Sequence, residues 1–434
     1  MKLRLTLLGL FFFCLIPTAW AKQFKTEHWQ TKNGVRVVFY QAMEVPMLDL
    51  SLAFAAGSAY DGKHFGLSSL TTNLIDQGNA GLDANIIAEA LADVGAQFNS
   101  ENNRDMAVFS LRTLTNKDAL DPAKATFKQI VNQPDFPDEA FERVKKQLLM
   151  AIEQEHESPD DVANLKFFKT LYQEHPYAHP VNGTKETVNA LTKQQVQEFY
   201  KQYFVAKNAV LVLVGAIDSN TAHQVAEQVT GDLKPGEIAP AIPLAKQLNA
   251  NETIHIKFPS SQTIVRLGQV GIDHQNPHYF PLIVGNYILG GGTLISRLGI
   301  EVREKRGLTY GVDSQFAPMP GRGPFLITLS TKGDDAKQAI QLSEDVLQQF
   351  IKNGPKQEEL DAAKLYLTGS FPLSLASNSS IAALLLRMTF YKLPDDYLDK
   401  YVERINAITI EQITKAFQEQ INPQKLLLVT VGQS

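Results

Sequence analysis

The strongest constraint on how this chain folds is an internal duplication. Residues 189–215 read NALTKQQVQEFYKQYFVAKNAVLVLVG, and residues 406–432 read NAITIEQITKAFQEQINPQKLLLVTVG. The two segments are equal in length and align end to end without a gap. Each is a helical pattern capped by a threonine, Thr192 or Thr409, then a short polar turn, then an apolar strand ending in glycine. A helix–strand unit repeated in this way implies two copies of one domain. Other features recur at slightly different spacings. Pro137 opens a helical pattern through Glu157, and Pro355 opens another through Leu373. The turn Gly95-Ala96-Gln97-Phe98 stands where the second half has Gly307-Leu308-Thr309-Tyr310.

The duplication divides the chain into halves 23–233 and 251–434, each about 200 residues and of ordinary domain size. Between them, residues 234–250 read KPGEIAPAIPLAKQLNA, rich in Pro and Ala, and are read as a linker. In the first half, β-type runs at 35–40 and 48–55 precede helical patterns at 66–76 and 84–94. Strands are expected near 96–101 and 106–113, then a set of helices, then the closing strand 209–215. Strands gathered beside consecutive helices predict an α+β fold, two duplicated α/β sandwich domains, and not the alternating βαβ pattern of a Rossmann sheet.

Apolar residues make up 44% of the chain and charged residues 20%, an ordinary globular composition. Residues 1–21 depart from it. Lys2 and Arg4 precede an apolar run at 5–16, followed by Pro17 and the small-residue pattern Ala19-Trp20-Ala21. This is the layout of a secretory signal peptide, with cleavage expected after Ala21. The apolar run is short for a membrane span, and Cys14 lacks the small residue that precedes a lipoprotein cysteine. Cleavage would leave 39 basic against 46 acidic residues, a net charge of −7, and would remove the single cysteine. Such a mature chain forms no internal disulfide and has no thiol nucleophile or thiolate ligand. It fits a bacterial periplasm, where stray thiols are oxidised. The negative charge argues against nucleic acid as a partner, and no later segment has the pattern of a membrane span.

Residues 290–312, GGGTLISRLGIEVREKRGLTYGV, join a glycine turn to an amphipathic helical pattern and then to a strand. They place Arg303 on the helix and Tyr310 on the strand. A guanidinium and a phenol can together hold a peptide carbonyl or a developing oxyanion. Gly290-Gly291-Gly292 lacks the Gly-Lys-Ser/Thr ending of a phosphate loop, and is read as a tight turn that leaves backbone N–H groups accessible to a bound peptide. In isolation the stretch is equally a plain helix-to-strand corner, with Arg303 paired to Glu301 or Glu304 and Tyr310 packed. Lys305 and Arg306 read as surface charges. The chain has no G-x-S-x-G nucleophile turn.

Five segments stand in a fixed order: NGVRVVF at 33–39, AGSAYD at 56–61, FGLSSL at 65–70, HPYAHPVNGT at 175–184, and LGGGTLISRL with VREKRGLTYGV after it at 289–312. Together they resemble the insulinase/pitrilysin family of zinc peptidases in its short two-domain form, similar to the mitochondrial processing peptidase subunits. The resemblance covers essentially the whole mature chain and implies half of a clamshell chamber. Peptide-cutting members carry an inverted zinc motif, H-x-x-E-H, on the helix that here begins at Gly66-Leu67. Histidines one helical turn apart grip Zn²⁺, and the glutamate activates a bound water. Here Ser69 and Asn73 stand at the histidine positions and Thr72 at the glutamate. The third ligand of the family, a glutamate on the long helix, falls at Leu149-Met150-Ala151.

The resemblance therefore implies no metal, cofactor or general base on this chain. Among the remaining histidines, His175 and His179 are each directly before a proline, Pro176 and Pro180, which prevents a common helix face. His156, with Glu153, Glu155 and Glu157, reads as a solvated helix face, and His64 as a loop residue. By the same resemblance Tyr310 donates to the scissile carbonyl or its oxyanion, and Arg303 holds the substrate backbone. The chain is then expected to be a zinc-less subunit of a periplasmic heterodimeric metalloendopeptidase, inactive alone. Its partner would be a paralogous chain with the zinc motif, and its substrates peptides. The competing reading is a non-enzymatic peptide-binding or structural subunit on the same fold, like the core subunits of respiratory complexes.

Overall fold

The computed structural model describes residues 24–433, so the signal-peptide pattern at 1–21 lies outside the described residues. In chain order the strands of the first half are β1 (Thr26–Gln30), β2 (Arg36–Gln41), β3 (Met47–Phe54), β4 (Gly78–Asn79), β5 (Leu82–Asp83), β6 (Gln97–Asn102), β7 (Ala107–Leu114) and β8 (Ala209–Gly215). Those of the second half are β9 (Glu252–Lys257), β10 (Gln262–Val270), β11 (Thr309–Phe316), β12 (Pro324–Lys332) and β13 (Leu427–Gly432). The first large sheet has the order β1-β2-β8-β3-β7-β6, and the second has β9-β13-β10-β12-β11. From β2 onward the two orders correspond strand for strand, down to one parallel pair, β2 with β8 and β9 with β13. The duplication thus extends from a helix–strand unit to a whole sheet. Thr192 and Thr409 both close capping boxes, with Gln195 and Gln412.

Strand β8, AVLVLVG, is buried along its entire length, as an unbroken apolar run is when both faces of a sheet are covered. Its side chains alternate between two cores. Leu211 and Leu213 join Val37 and Phe39 under the first half's own helices, including Lys117–Asn132, Asp138–Glu157 and Ser219–Thr230. Val210, Val212 and Val214 join Val38 on the opposite face. The cover there comes from the other half of the chain: Ile381, Ala382, Leu385 and Leu386 of helix Asn378–Phe390. The exchange is mutual. Ala163, Phe167 and Leu171 of helix Pro159–Tyr172 pack on Ile264, Leu427, Val429 and Val431 of the second sheet. Each large aliphatic side chain buried this way contributes about 1.5–3 kcal/mol, so three of them approach the net stability of a whole domain. The sequence boundary between the halves is therefore not a packing boundary.

The segment 234–250 has no helix or strand, in keeping with a linker, yet it is a fitted strap and not a loose tether. Ala206 N and Lys207 N donate to Lys234 O and Pro235 O at 2.8 and 3.0 Å, Ala245 N donates to Gly321 O at 2.8 Å, and Ala245 and Leu248 are buried. A polar knot ties the halves beside it. The Asp105 carboxylate accepts from Tyr177 Oη at 2.7 Å and from Tyr391 Oη at 2.9 Å. Burial pushes the Asp105 pKa up, while the two phenols and Arg104 oppose the rise. No single helix among the described residues is long and apolar enough to cross a membrane. The segments Gln357–Leu375 and Asn378–Phe390 reach that length and apolarity only together, and they are bent by 109° to one another.

Candidate functional site

The helix Leu67–Asn73 begins at Gly66, whose φ of 91° lies in the left-handed region and whose missing Cβ leaves room for Asn182 O. Asp61 sits beneath this start, accepting from Gly66 N at 2.8 Å and Ser68 N at 2.7 Å. Burial raises the pKa of Asp61 well above the usual carboxylate range, although both N–H groups favour its anion. The Asp of the AGSAYD segment is thus a helix cap. Ser69, at the first histidine position, is 2% exposed, and its Oγ donates to Asn182 Oδ1 at 2.8 Å. Asn182 Nδ2 in turn donates to Glu155 Oε1 at 2.6 Å. Asn73, at the second histidine position, reaches Ser69 Oγ only at 3.5 Å. Thr72, at the glutamate position, is buried and its Oγ1 has no partner. Met150, in the third-ligand region, is 56% exposed.

Hydroxyls and amides are poor zinc ligands, and one remote carboxylate does not complete a tetrahedral set. Among the described residues no group of three His, Cys, Asp or Glu side chains is gathered as a metal site. The relay through Asn182 and Glu155 was not read from the sequence. Its one signal is Asn182-Gly183 in the HPYAHPVNGT loop, where Gly183 has a φ of 76° and lies against Phe65 O. In the same loop His175 Nε2 lies 2.7 Å from Pro243 O, and His175 Nδ1 accepts from Tyr177 N at 3.1 Å, which occupies both ring nitrogens. His179 is buried and stacks on Phe65 at 4.2 Å, and burial lowers its pKa. His64 lies 3.2 Å from the Gln195 amide.

The glycine segment of the second half differs from the expected open turn and amphipathic α-helix. Residues Tyr287–Gly291 form a π-helical turn, Thr293–Ile295 a 3₁₀ turn, and Gly299–Glu304 a second π-helical turn. The glycines serve close packing: a Cβ on Gly290 would meet Ser314 Oγ at 2.4 Å, and Gly292 N–H is already donated to Tyr287 O at 2.8 Å. Of the three, Gly291 is the one exposed to solvent. The left-handed residue is Thr293, with φ 51°. An apolar/polar pattern does not distinguish α from π winding over so short a stretch, and π turns are frequent where a side chain is re-aimed.

Arg303 and Tyr310 lie on either side of the turn at Gly307, whose φ of 63° matches the 64° of Gly95 in the first half. Arg303 is exposed and pairs with neither Glu304 nor Glu301, the latter being taken by others. Glu301 accepts Lys305 and Arg306, each at 2.7 Å. No hydrogen bond or ion pair holds the Arg303 side chain among the described residues. The ladder between β11 and β12 slips between Thr309 and Val312, so Tyr310 and Gly311 bulge out of an edge strand. Tyr310 is 80% exposed, the most exposed large apolar side chain in the described residues. The corner thus presents a free guanidinium and a free phenol, which can donate to a carbonyl or an oxyanion.

The doubled sheet and the helix with substituted metal positions define a class, two-domain proteins of the zinc-peptidase type. The chain belongs to peptidase family M16. Residues 36–185 match the family model for insulinase (peptidase family M16), and residues 190–367 match that for the peptidase M16 inactive domain. A crystal structure from Pseudomonas fluorescens, described as a peptidase M16 inactive domain, is 40% identical, covers 94% of this chain and 98% of its own, and superposes with a TM-score of 0.91. An uncharacterized zinc protease of Rickettsia felis is 28% identical over 304 residues, 70% of this chain and 73% of the relative. A protein of Helicobacter pylori described as a non-peptidase homolog, YmxG, is 25% identical over 383 residues, 87% of each chain. The inactive-domain match and this last description support a non-catalytic member of the family.

Proposed function

We propose that this chain is the zinc-less subunit of a periplasmic heterodimeric metalloendopeptidase. A paralogous partner supplies the H-x-x-E-H zinc site and the general base. This chain supplies Arg303, Tyr310 and half of the chamber wall. Tyr310 donates to the scissile carbonyl and its oxyanion, Arg303 holds the peptide backbone, and Gly291 leaves room at the exposed end of the glycine turn. The observation that carries the reading is the exposure of Tyr310, at 80%, on a bulged edge strand beside an arginine without a partner. A large side chain left in water and a cation left unpaired gain nothing for this chain's own fold. The basic, apolar and small-residue pattern of 1–21 supports export.

The test is the purified complex with its zinc-bearing partner. Arg303→Ala with Tyr310→Phe is expected to lower peptide hydrolysis while leaving the zinc content and the heterodimer intact. Hydrolysis at the parent rate sinks the proposal. The second reading, a non-enzymatic peptide-binding or structural subunit, draws on the Helicobacter pylori relative described as a non-peptidase homolog. It predicts co-purification from the native host without any chain bearing the zinc motif.

A further inference from the structure

The face of the first sheet that receives helix Asn378–Phe390 is incompletely covered. On one side of this helix, toward the edge strand β6, lies a cavity of about 490 Å³ bordered by Glu101, Val108, Leu386 and Arg387. On the other side lies a cavity of about 620 Å³ ringed by Tyr279, Phe280, Phe371, Tyr397 and Tyr401. Ala383 and Arg387 border both, so the two cavities adjoin across the exposed side of this helix, and together they are called the groove. Both volumes fall in the range of small-ligand sites.

Arg387 is exposed on this side of the helix, and its side chain makes no hydrogen bond or ion pair among the described residues. No Asp or Glu lines the aromatic cavity. The Arg387 charge bears on His274, Tyr391, Tyr397 and Tyr401. Asp49 and Glu101 line the cavity on the β6 side, but Asp49 pairs with Arg112 at 2.9 Å and neither pairs with Arg387. A guanidinium set among phenols, with no anion of its own, matches a carboxylate in a two-pronged contact. The rings around it suit an aromatic or large apolar side chain. At the far end of the groove β6 is a free sheet edge whose residues alternate exposed and half-buried, so its main chain can continue along an extended ligand.

We propose that this groove holds the free C-terminus of an extended peptide, with the terminal carboxylate on Arg387 and the last large apolar or aromatic side chain in the cavity ringed by Tyr279, Tyr397 and Tyr401. That the ligand is a peptide rests on the peptide-handling reading above; the groove itself needs neither the partner nor zinc.

The experiment titrates the mature chain alone, by fluorescence anisotropy, with an N-terminally labelled peptide ending in phenylalanine and with the same peptide as its C-terminal amide. The acid is expected to bind at least about tenfold more tightly than the amide, the factor for losing one charge-assisted contact. Arg387→Gln should bind both at the level of the amide, with an unchanged melting temperature because the side chain is exposed. Ala383→Trp, which fills the groove where the two cavities adjoin, should bind neither. Equal affinity for acid and amide overturns the proposal, as does an acid preference that survives in Arg387→Gln. Binding of neither peptide by the parent overturns it too. Competition by 3-phenylpropionate at the concentration of the peptide makes this a site for free aromatic acids, and also overturns it. Because the partner is absent, each of these failures leaves the Arg303 and Tyr310 test standing.

Discussion

Helix Leu67–Asn73 and the corner from Gly299 to Tyr310 belong to matching halves of one duplicated fold, and they treat their polar residues in opposite ways. In the first half, Ser69 and Thr72 are buried, and Ser69 is tied through Asn182 to Glu155. In the second half, Arg303 and Tyr310 stand in water, and the nearby Glu301 is occupied by Lys305 and Arg306. Ser69 is satisfied inside the fold, as a buried polar group without a partner is costly, whereas the buried Thr72 hydroxyl is left without one. Arg303 and Tyr310 are left without a side-chain partner among the described residues. The difference separates a helix drawn into its own core from a corner left open to solvent.

The sharpest way to break the comparison is through activity. In the complex with a zinc-bearing partner, Arg303→Ala with Tyr310→Phe should slow peptide hydrolysis by about 10²–10³-fold, the cost of removing oxyanion donors. Zinc content should not change. A complex that keeps its rate would make the exposed corner as idle as the buried helix.

A second measurement probes the packed side. His274 lies at the junction of the halves, stacked on Tyr391 at 3.7 Å, and its Nδ1 has no partner. Burial, with the Arg387 charge adding to it, lowers its pKa from 6.5 to about 4. As pH falls below 6.5 the unfolded chain takes up this proton first, and the folded chain does so only near pH 4. Stability from this residue is therefore complete above the unfolded value and is lost across that window. At about 1.4 kcal/mol per pKa unit, the loss is about 3 kcal/mol. Urea unfolding at pH 7 and pH 4 should show His274→Phe, which keeps a ring on Tyr391 and does not titrate, losing about that much less than the parent. Equal losses would show that the stacked histidine does not resist protonation.

How much of this contrast the sequence carries depends on where each interaction closes. The duplication is legible because its two copies are contiguous, and the sheets derive from it. The replaced zinc residues are legible because their motif lies within one short helix. The exchanged helices are not legible. The apolar stripes of Pro159–Tyr172 and Asn378–Phe390 show that they are buried but not that each lies against the opposite half. The relay from Ser69 to Asn182 and Glu155 escapes for the same reason, since it joins residues from three separate segments. The exposure of Tyr310 depends on a bulge in the β11 ladder, and no residue pattern announced that bulge.

Restoring the letters of the zinc motif should show how completely the first site has closed. Ser69→His, Thr72→Glu and Asn73→His together introduce two larger side chains at buried positions and leave Leu149-Met150-Ala151 where a carboxylate is needed. The combined variant is expected to lose about 2 kcal/mol of stability from overpacking and to retain no tightly held zinc after dialysis. Urea unfolding and metal analysis would check both. Stoichiometric zinc with undiminished stability would mean that the site is open and lacks only its ligands.

The smallest effects divide the two regions most directly, because they ask what each residue does for this fold alone. The Thr72 hydroxyl is buried without a partner, so Thr72→Val removes a desolvated polar group and keeps the branched shape. It should be neutral or stabilising by up to about 1 kcal/mol. Ser69→Ala deprives Asn182 of a donor inside the relay and should cost about 1 kcal/mol. Tyr310→Ala, despite deleting an entire aromatic side chain, should shift stability by no more than about 0.5 kcal/mol, as for a surface position without contacts. Melting curves of the three variants, taken on the chain without a partner, give the order. If Tyr310→Ala proves the most costly, the phenol is holding this fold together, and its exposure would no longer point to a ligand.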